Sequence, residues 1–313
     1  MTSRRSFLGS LAGAVVAAGC TTPPNPAPAG IVDTHTHFYD PTRAEGVPWP
    51  PPGEARLYRP VLPAEYRRLA EPLGIVGTVV VEASPRESDN DWVLERMARE
   101  PFLMGLVGHL KPGRPGFAEG LDRYARNPLF RGIRTGGWEV RVAPADAAFV
   151  RDCLRLARRD LALDVLVSPA ELPRVAELAE AAPDLRIVVD HCANVRVDGR
   201  RPPDDWLRGL DACAAHGNVH FKVSGLVEGT GRNDGSAPHD PAYYRDVVDA
   251  VWQRFGPRRV LYGTNWPVSA LFAPLDAVHA IVQTDATRRG ARAAAAFFRG
   301  NAERVYRLRN LSR

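Results

Sequence analysis

From residue 31 onward the chain alternates two hydrophobic rhythms. Short runs of aliphatic and β-branched residues, suited to buried strands, fall at 31–34, 75–82, 102–109, 130–134, 161–167, 185–191, 219–224 and 259–263. Between them lie stretches with apolar positions three and four apart, the period of an amphipathic helix, near 63–73, 88–99, 116–126, 144–159, 171–181, 204–216, 241–255 and 274–283. Several open with Pro, Ser or Asp, as helix starts do. Strands separated by helices of this length require right-handed crossovers and a parallel sheet. Eight such units over about 250 residues predict an α/β chain closed into a (β/α)8 barrel. An open, doubly wound sheet would carry a glycine-rich turn after its first strand, and this chain has Asp33-Thr34-His35-Thr36-His37 there. Residues 39–60, rich in Pro and Gly with Trp49 among them, are too long for a routine connection and predict a loop across the top of the barrel. Residues 297–308 predict a last helix packed on the outside.

The first twenty residues bear on where the protein works. Ser3-Arg4-Arg5-Ser6-Phe7-Leu8 precedes an apolar run and reads as a twin-arginine export signal. The run is shorter than the roughly 20 residues that a bilayer span needs. It ends Ala17-Ala18-Gly19-Cys20, which resembles a lipoprotein processing site acylated on Cys20; cleavage after an Ala by an ordinary signal peptidase is the alternative. Residues 21–30 then form a Pro-rich tether and residues 31–313 the barrel domain. The expectation is a protein exported folded and held by a lipid on the periplasmic side of a membrane. Thr21 after the Cys, in place of Asp, favours the outer membrane.

Composition narrows the partners. A hydrophobic content of 45% marks a folded chain and not a disordered one. The formal charge of +5 becomes +3 without Arg4 and Arg5, and acids lie among the arginines throughout, so no nucleic-acid stripe is expected. A small-molecule substrate is the expected partner. Besides Cys20, the cysteines are Cys153, Cys192 and Cys213, too scattered for a disulfide framework or a CxxC metal pair. Buried, inert thiols are expected.

The chemistry starts with Asp33, His35 and His37. Strand side chains alternate, so these three should point together into the barrel while the threonines between them face the helices. Two imidazoles at the C-terminal end of a barrel strand can share one divalent metal, and zinc, iron or manganese suits neutral imidazole. Arg134, closing the fourth strand, can grip a carboxylate or an oxyanion with two hydrogen bonds, or serve as an ordinary surface arginine. Lys222 is one of two lysines and falls in the seventh strand, where a charge must face substrate or meet Asp190 or another acid. Glu82 and His109 end the second and third strands and are candidates for substrate contact. Trp49, Trp138 and Trp266 could wall a sugar ring, and Cys192 should point away from the site into the core.

The run VDTHTHF (32–38), followed by eight β/α units, resembles the amidohydrolase-related TIM-barrel hydrolases, in particular the sugar-lactone hydrolase branch of L-fuconolactonase and L-rhamnonolactonase type. LFRGIR (129–134), LVSPAELPRVAELAEAAPDLRIVVDHC (166–192), FKVSGLVE (221–228), FGPRRVLYGTNWPV (255–268) and NAERVYRL (301–308) carry the same resemblance over essentially the whole chain beyond the tether. It implies an amidohydrolase-like barrel that hydrolyses a lactone, with His35, His37 and His191 around a divalent metal, zinc or manganese. Asn265 stands where amidohydrolases usually carry an Asp that binds metal and takes a proton from water. An amide cannot act as a general base. The fifth strand also lacks the His that many metal-dependent relatives place there. These two departures weaken the case for tight metal binding. They keep open a barrel that binds a small carbohydrate or aromatic acid without turnover, or a related decarboxylase.

Overall fold

Eight parallel strands lie side by side in chain order: β1 (Ile31–Thr36), β2 (Ile75–Val81), β3 (Leu103–Gly108), β4 (Phe130–Gly136), β5 (Ala162–Leu166), β6 (Arg186–Val189), β7 (Val219–Val223) and β8 (Val260–Tyr262). The structure is a computed structural model that describes residues 30–308; Arg4, Arg5, Cys20 and residues 21–29 of the tether lie outside it. The helices are α1 (Pro63–Ala70), α2 (Asp89–Met97), α3 (Phe117–Tyr124), α4 (Gly137–Val142), α5 (Ala147–Arg158), α6 (Leu172–Ala181), α7 (Asp204–Ala214), α8 (Arg245–Phe255), α9 (Leu275–Arg288), α10 (Ala291–Ala295) and α11 (Asn301–Val305). The expected alternation is therefore present, and α4 is a short extra helix after β4 that the hydrophobic rhythm does not show. The helix expected at 144–159 starts at α5, where Asp146 accepts the N–H groups of Ala148 and Phe149 and caps it.

The seam between β8 and β1 is closed by individual hydrogen bonds. The Thr34 hydroxyl donates to the Tyr262 carbonyl at 2.6 Å, and the N–H groups of Asn265 and His37 donate to the carbonyls of His35 and Trp266, each at 2.9 Å. The Asp33 carboxylate takes the N–H and hydroxyl of Thr264 together with the hydroxyl of Tyr66 from α1. Asp33 thus locks the barrel shut and does not join the histidines, which corrects the simple alternation. The cause is a bulge. β1 pairs Asp33 with Thr78 and then Thr36 with Val80, so it carries one residue more than β2 over this interval. Val32, before the bulge, packs inside with Val79 and Val81. Beyond it, His35 and His37 face inward and the Thr36 hydroxyl meets that of Thr78.

The lower end of the barrel holds a second departure. Ala302, Val305, Tyr306 and Leu308 pack with the inward residues Val32, Val79, Val107, Ala162, Val188 and Leu261. The tail therefore begins on the outside, as expected, with Phe297 and Phe298 against Trp252, Tyr262 and His279, and from Ala302 on it turns under to plug the barrel floor. Arg186, at the start of β6, fastens it by donating to the Val305 carbonyl at 2.7 Å. Cys153, Cys192 and Cys213 are free and buried, as expected.

Candidate active site

The site is built in two layers, and the lower one is a buried ion network. Lys222 on β7 is fully enclosed, with Nζ 2.6 Å from Asp164 on β5 and 3.0 Å from Asp190 at the end of β6. The Tyr306 hydroxyl donates to both Asp164 oxygens, at 3.0 and 2.8 Å. Burial alone would drive the lysine neutral, but the two carboxylates overcome it and hold Lys222 above its ordinary value. Burial likewise works against ionised Asp190, and Lys222 and His35 outweigh it, keeping that carboxylate well below its usual range. Lys222 thus meets acids, Asp190 among them, and takes no place on the open face.

The upper layer holds three imidazoles. The His35 and His37 ring centroids stand 4.9 Å apart, and those of His35 and His191 4.3 Å. Each ring is anchored through Nδ1. His35 Nδ1 lies 3.2 Å from Lys222 Nζ and 3.3 Å from Asp190, His37 Nδ1 donates to the Val81 carbonyl at 3.0 Å, and His191 Nδ1 meets the Ser224 hydroxyl at 2.9 Å. Burial keeps all three neutral: His37 is pushed down to about 3, His191 to about 4, and His35 well below its ordinary value. The Arg134 charge adds to the depression of His37 and His191.

His191 opens a strained turn. The φ angles of His191, Cys192, Ala193 and Asn194 are all left-handed, at 53°, 50°, 56° and 49°, and each such residue costs about 1–2 kcal/mol. Hydrogen bonds from Trp206 Nε1 to the Cys192 carbonyl and from Asn194 Nδ2 to the Val167 carbonyl hold the turn. Gly225 faces it so closely that a Cβ there would lie 2.5 Å from that of His191. Strain of this kind gathers at functional sites. Cys192 is buried, as expected.

Around the rim, Arg134 donates through Nε to Glu82 Oε1 at 2.9 Å and through Nη2 to the Glu82 carbonyl at 2.8 Å, so the two residues form one unit at the edge of the mouth. His109 is half-buried with its backbone clamped by Asn90, and its Nε2 has no hydrogen-bond partner among the described residues. The long loop is pinned by the Tyr39–Val61 bridge and brings Trp49 to 5.9 Å from His37. The other two tryptophans do not line the mouth together with it. Trp266 is buried against Phe38 and Tyr66 behind the strands, and Trp138 is 66% exposed on α4.

Asn265 has a left-handed backbone (φ 58°) and sits between two side chains. Its Oδ1 is 3.1 Å from His37 Nε2, and its Nδ2 donates to Glu228 Oε1 at 2.8 Å. Glu228, in the loop after β7, is the site residue that sequence reasoning missed. The segment SGLVEGT gives it no periodicity to stand out from, and a lone acid in a loop after a strand end was the only signal. Burial pushes Glu228 up to about 7, and its Oε2 is enclosed without a partner.

A divalent cation fits part of this cluster. Among the described residues, His35, Asp190 and His191 bring one ligand atom each within 4.8 Å of one another. Buried His35 Nε2 has no hydrogen-bond partner, as expected of a lone pair kept for a ligand. Two imidazoles and a carboxylate suit a transition metal. The expected trio of His35, His37 and His191 is thus regrouped: Asp190 enters, and His37 stands beside the group facing Asn265.

The profile of the amidohydrolase family matches residues 32–308. The chain is similar to an L-fucono-1,5-lactonase of Burkholderia ambifaria, 33% identical over 77% of this chain and 81% of the relative. A second L-fucono-1,5-lactonase, from Burkholderia multivorans, is 29% identical over 88% of this chain and 96% of the relative. The solved structure of a Burkholderia multivorans amidohydrolase with bound zinc superposes with a TM-score of 0.81 at 29% identity, covering 90% of this chain and all of that one. With the barrel, the mouth histidines and these matches together, the chain belongs to the amidohydrolase family.

Proposed function

We propose that the protein hydrolyses a cyclic ester, the lactone of a sugar acid or a similar small acid. The observation that carries this reading is the set of three neutral imidazoles at the mouth, each tied down through Nδ1. That arrangement leaves their Nε2 edges for substrate, water or metal. The two lactonase relatives supply the substrate class. Water adds to the lactone carbonyl, the bond to the ring oxygen breaks, and that oxygen leaves as an alcohol. His37, neutral near pH 7 with its Nδ1–H held by the Val81 carbonyl, can accept a proton at Nε2. The Arg134 guanidinium, close enough to depress His37 and His191, is the cation placed to stabilise a developing oxyanion. Trp49 offers an apolar face to a sugar ring beside His37. A divalent cation, zinc or manganese, held by His35, His191 and Asp190 would polarise the carbonyl as a Lewis acid.

Acid release from a panel of γ- and δ-lactones in weak buffer, with metal content measured on the same preparation, tests this reading. Lactone opening at enzyme-dependent rates supports it. Saturable binding of sugar lactones with no acid release supports the second reading, a binding barrel, which the neutral Asn265 favours. We further propose that Cys20 is acylated and holds the protein on the periplasmic side of a membrane, on the evidence of the SRRSFL and AAGC segments. A mature N-terminus at another residue, unlipidated by mass spectrometry, would overturn that.

A further inference from the structure

We propose that Glu228 is a positioning residue of this site: it anchors the amide nitrogen of Asn265 and turns the amide oxygen toward His37, so that the pair stands in for a single carboxylate. The proposal rests on the reading of this mouth as the place where water opens a lactone.

The two ends of an asparagine amide have the same shape, and their neighbours decide which way it points. Once ionised, Glu228 can only accept, so the NH2 end faces it, the orientation of the 2.8 Å contact from Nδ2 to Oε1. The oxygen is then directed to His37 Nε2 at 3.1 Å. The His37 ring already donates Nδ1–H to the Val81 carbonyl, which leaves a neutral ring with a bare Nε2. Two acceptors therefore stand side by side, and the group that satisfies both is a proton donor from outside the chain, such as the O–H of water. A carboxylate at position 265 would present a similar acceptor with its own negative charge. Here the oxygen stays in place and the charge sits one side chain further back, on Glu228.

The rest of the geometry serves this orientation. The Asn265 N–H donates to the His35 carbonyl at 2.9 Å, and its own carbonyl accepts from the Ser269 N–H at 3.1 Å, so the backbone cannot drift. Among the described residues no ion pair explains the burial of Glu228. Its Oε2 is enclosed without a hydrogen bond, and its charge is felt by the Tyr244 hydroxyl, which burial first and then Tyr243 and Glu228 push up. A carboxylate retained in such surroundings, pushed up to about 7, destabilises the fold, which points to a role in the chemistry.

A charge-swap cycle tests the proposal: wild type, Glu228→Gln, Asn265→Asp and the double variant, compared in kcat and KM on the lactone panel and in Tm. Glu228→Gln should lower kcat about 10- to 100-fold with KM little changed, the scale of one hydrogen bond to a charged group. Asn265→Asp alone sets two carboxylates face to face and should lower both kcat and Tm. In the double variant the new amide at position 228 donates to the new carboxylate at position 265, so the charge moves forward by one side chain. Both kcat and Tm should then recover to within about 10-fold and a few degrees of wild type. Wild-type kcat in Glu228→Gln, or a double variant no better than Asn265→Asp, overturns the proposal. If wild type opens no lactone, the functional reading fails by itself. The Tm cycle then decides the pairing: rescue in the double variant supports it, and additive losses overturn it.

Discussion

In the lower half of the barrel Lys222, Asp164, Asp190 and Tyr306 answer one another at 2.6–3.0 Å, whereas at the mouth His35 Nε2, His109 Nε2 and Glu228 Oε2 are enclosed by protein without a partner. Both regions are buried and polar, but in the lower one each charge faces an opposite charge, even though the Asp190 oxygens are matched by the Lys222 ion pair and not by well-formed hydrogen bonds. Nature tolerates a buried ion network when every charge is met, because an unmet one costs several kcal/mol. Unmet polar atoms gathered in one place mark a surface kept for something else. The two layers touch at His35, whose Nδ1 belongs to the network and whose Nε2 belongs to the mouth. The network thus serves as the foundation that fixes the first imidazole, and the mouth uses it.

The comparison breaks most severely at Lys222. Lys222→Met leaves Asp164 and Asp190 buried without their cation and should cost about 3–5 kcal/mol, or prevent folding, in urea denaturation followed by circular dichroism. Unchanged stability would mean that the lower layer is not an ion network at all. At the mouth the reverse is expected. His35→Ala and His37→Ala should each lower kcat/KM by about 10²–10⁴ while costing far less stability than Lys222→Met, and the kcat/KM of the double variant should fall no further than that of the worse single one, because the imidazoles act as a unit. Full activity in the double variant would remove the mouth from the mechanism.

Glu228 sharpens the contrast through pH. Its carboxyl titrates near 7 in the folded protein and near 4.3 in an unfolded chain, so the folded state holds its proton longer and stability falls as pH rises between those values. Glu228→Gln removes this loss. It should be more stable than wild type by up to about 3 kcal/mol at pH 8, with the difference vanishing near pH 4, as measured by denaturant titration at each pH. A variant less stable at pH 8 would place Glu228 with the structural layer. The smallest effect is expected at the loop. Trp49→Ala should raise KM about 3- to 10-fold with kcat nearly unchanged, since the ring packs beside His37 and holds no proton.

How much of this is legible in the sequence depends on whether the signal is local. The strand and helix rhythms, the long loop over the top and the His35–His37 pair can be read directly, because burial imposes a period on consecutive residues. Alternation misplaces Asp33 because a bulge changes the parity of a strand, and a bulge is defined by the partner strand. Glu228 is invisible because its importance comes from Asn265, 37 positions away. The chain neighbours of Trp266 suggest the mouth, whereas it packs behind β1 against Phe38 and Tyr66.

By itself the sequence determined the eightfold alternation, the family, and the placing of His35, His37, His191 and Asn265 at strand ends, since each follows from the order of residues along one segment. Only the tertiary structure decided that Lys222 meets Asp164 and Asp190, that the tail plugs the barrel floor and that Glu228 stands behind Asn265. Those are contacts between strands and loops far apart in the chain, and closing the barrel is what brings their charges close enough to shift one another's protonation.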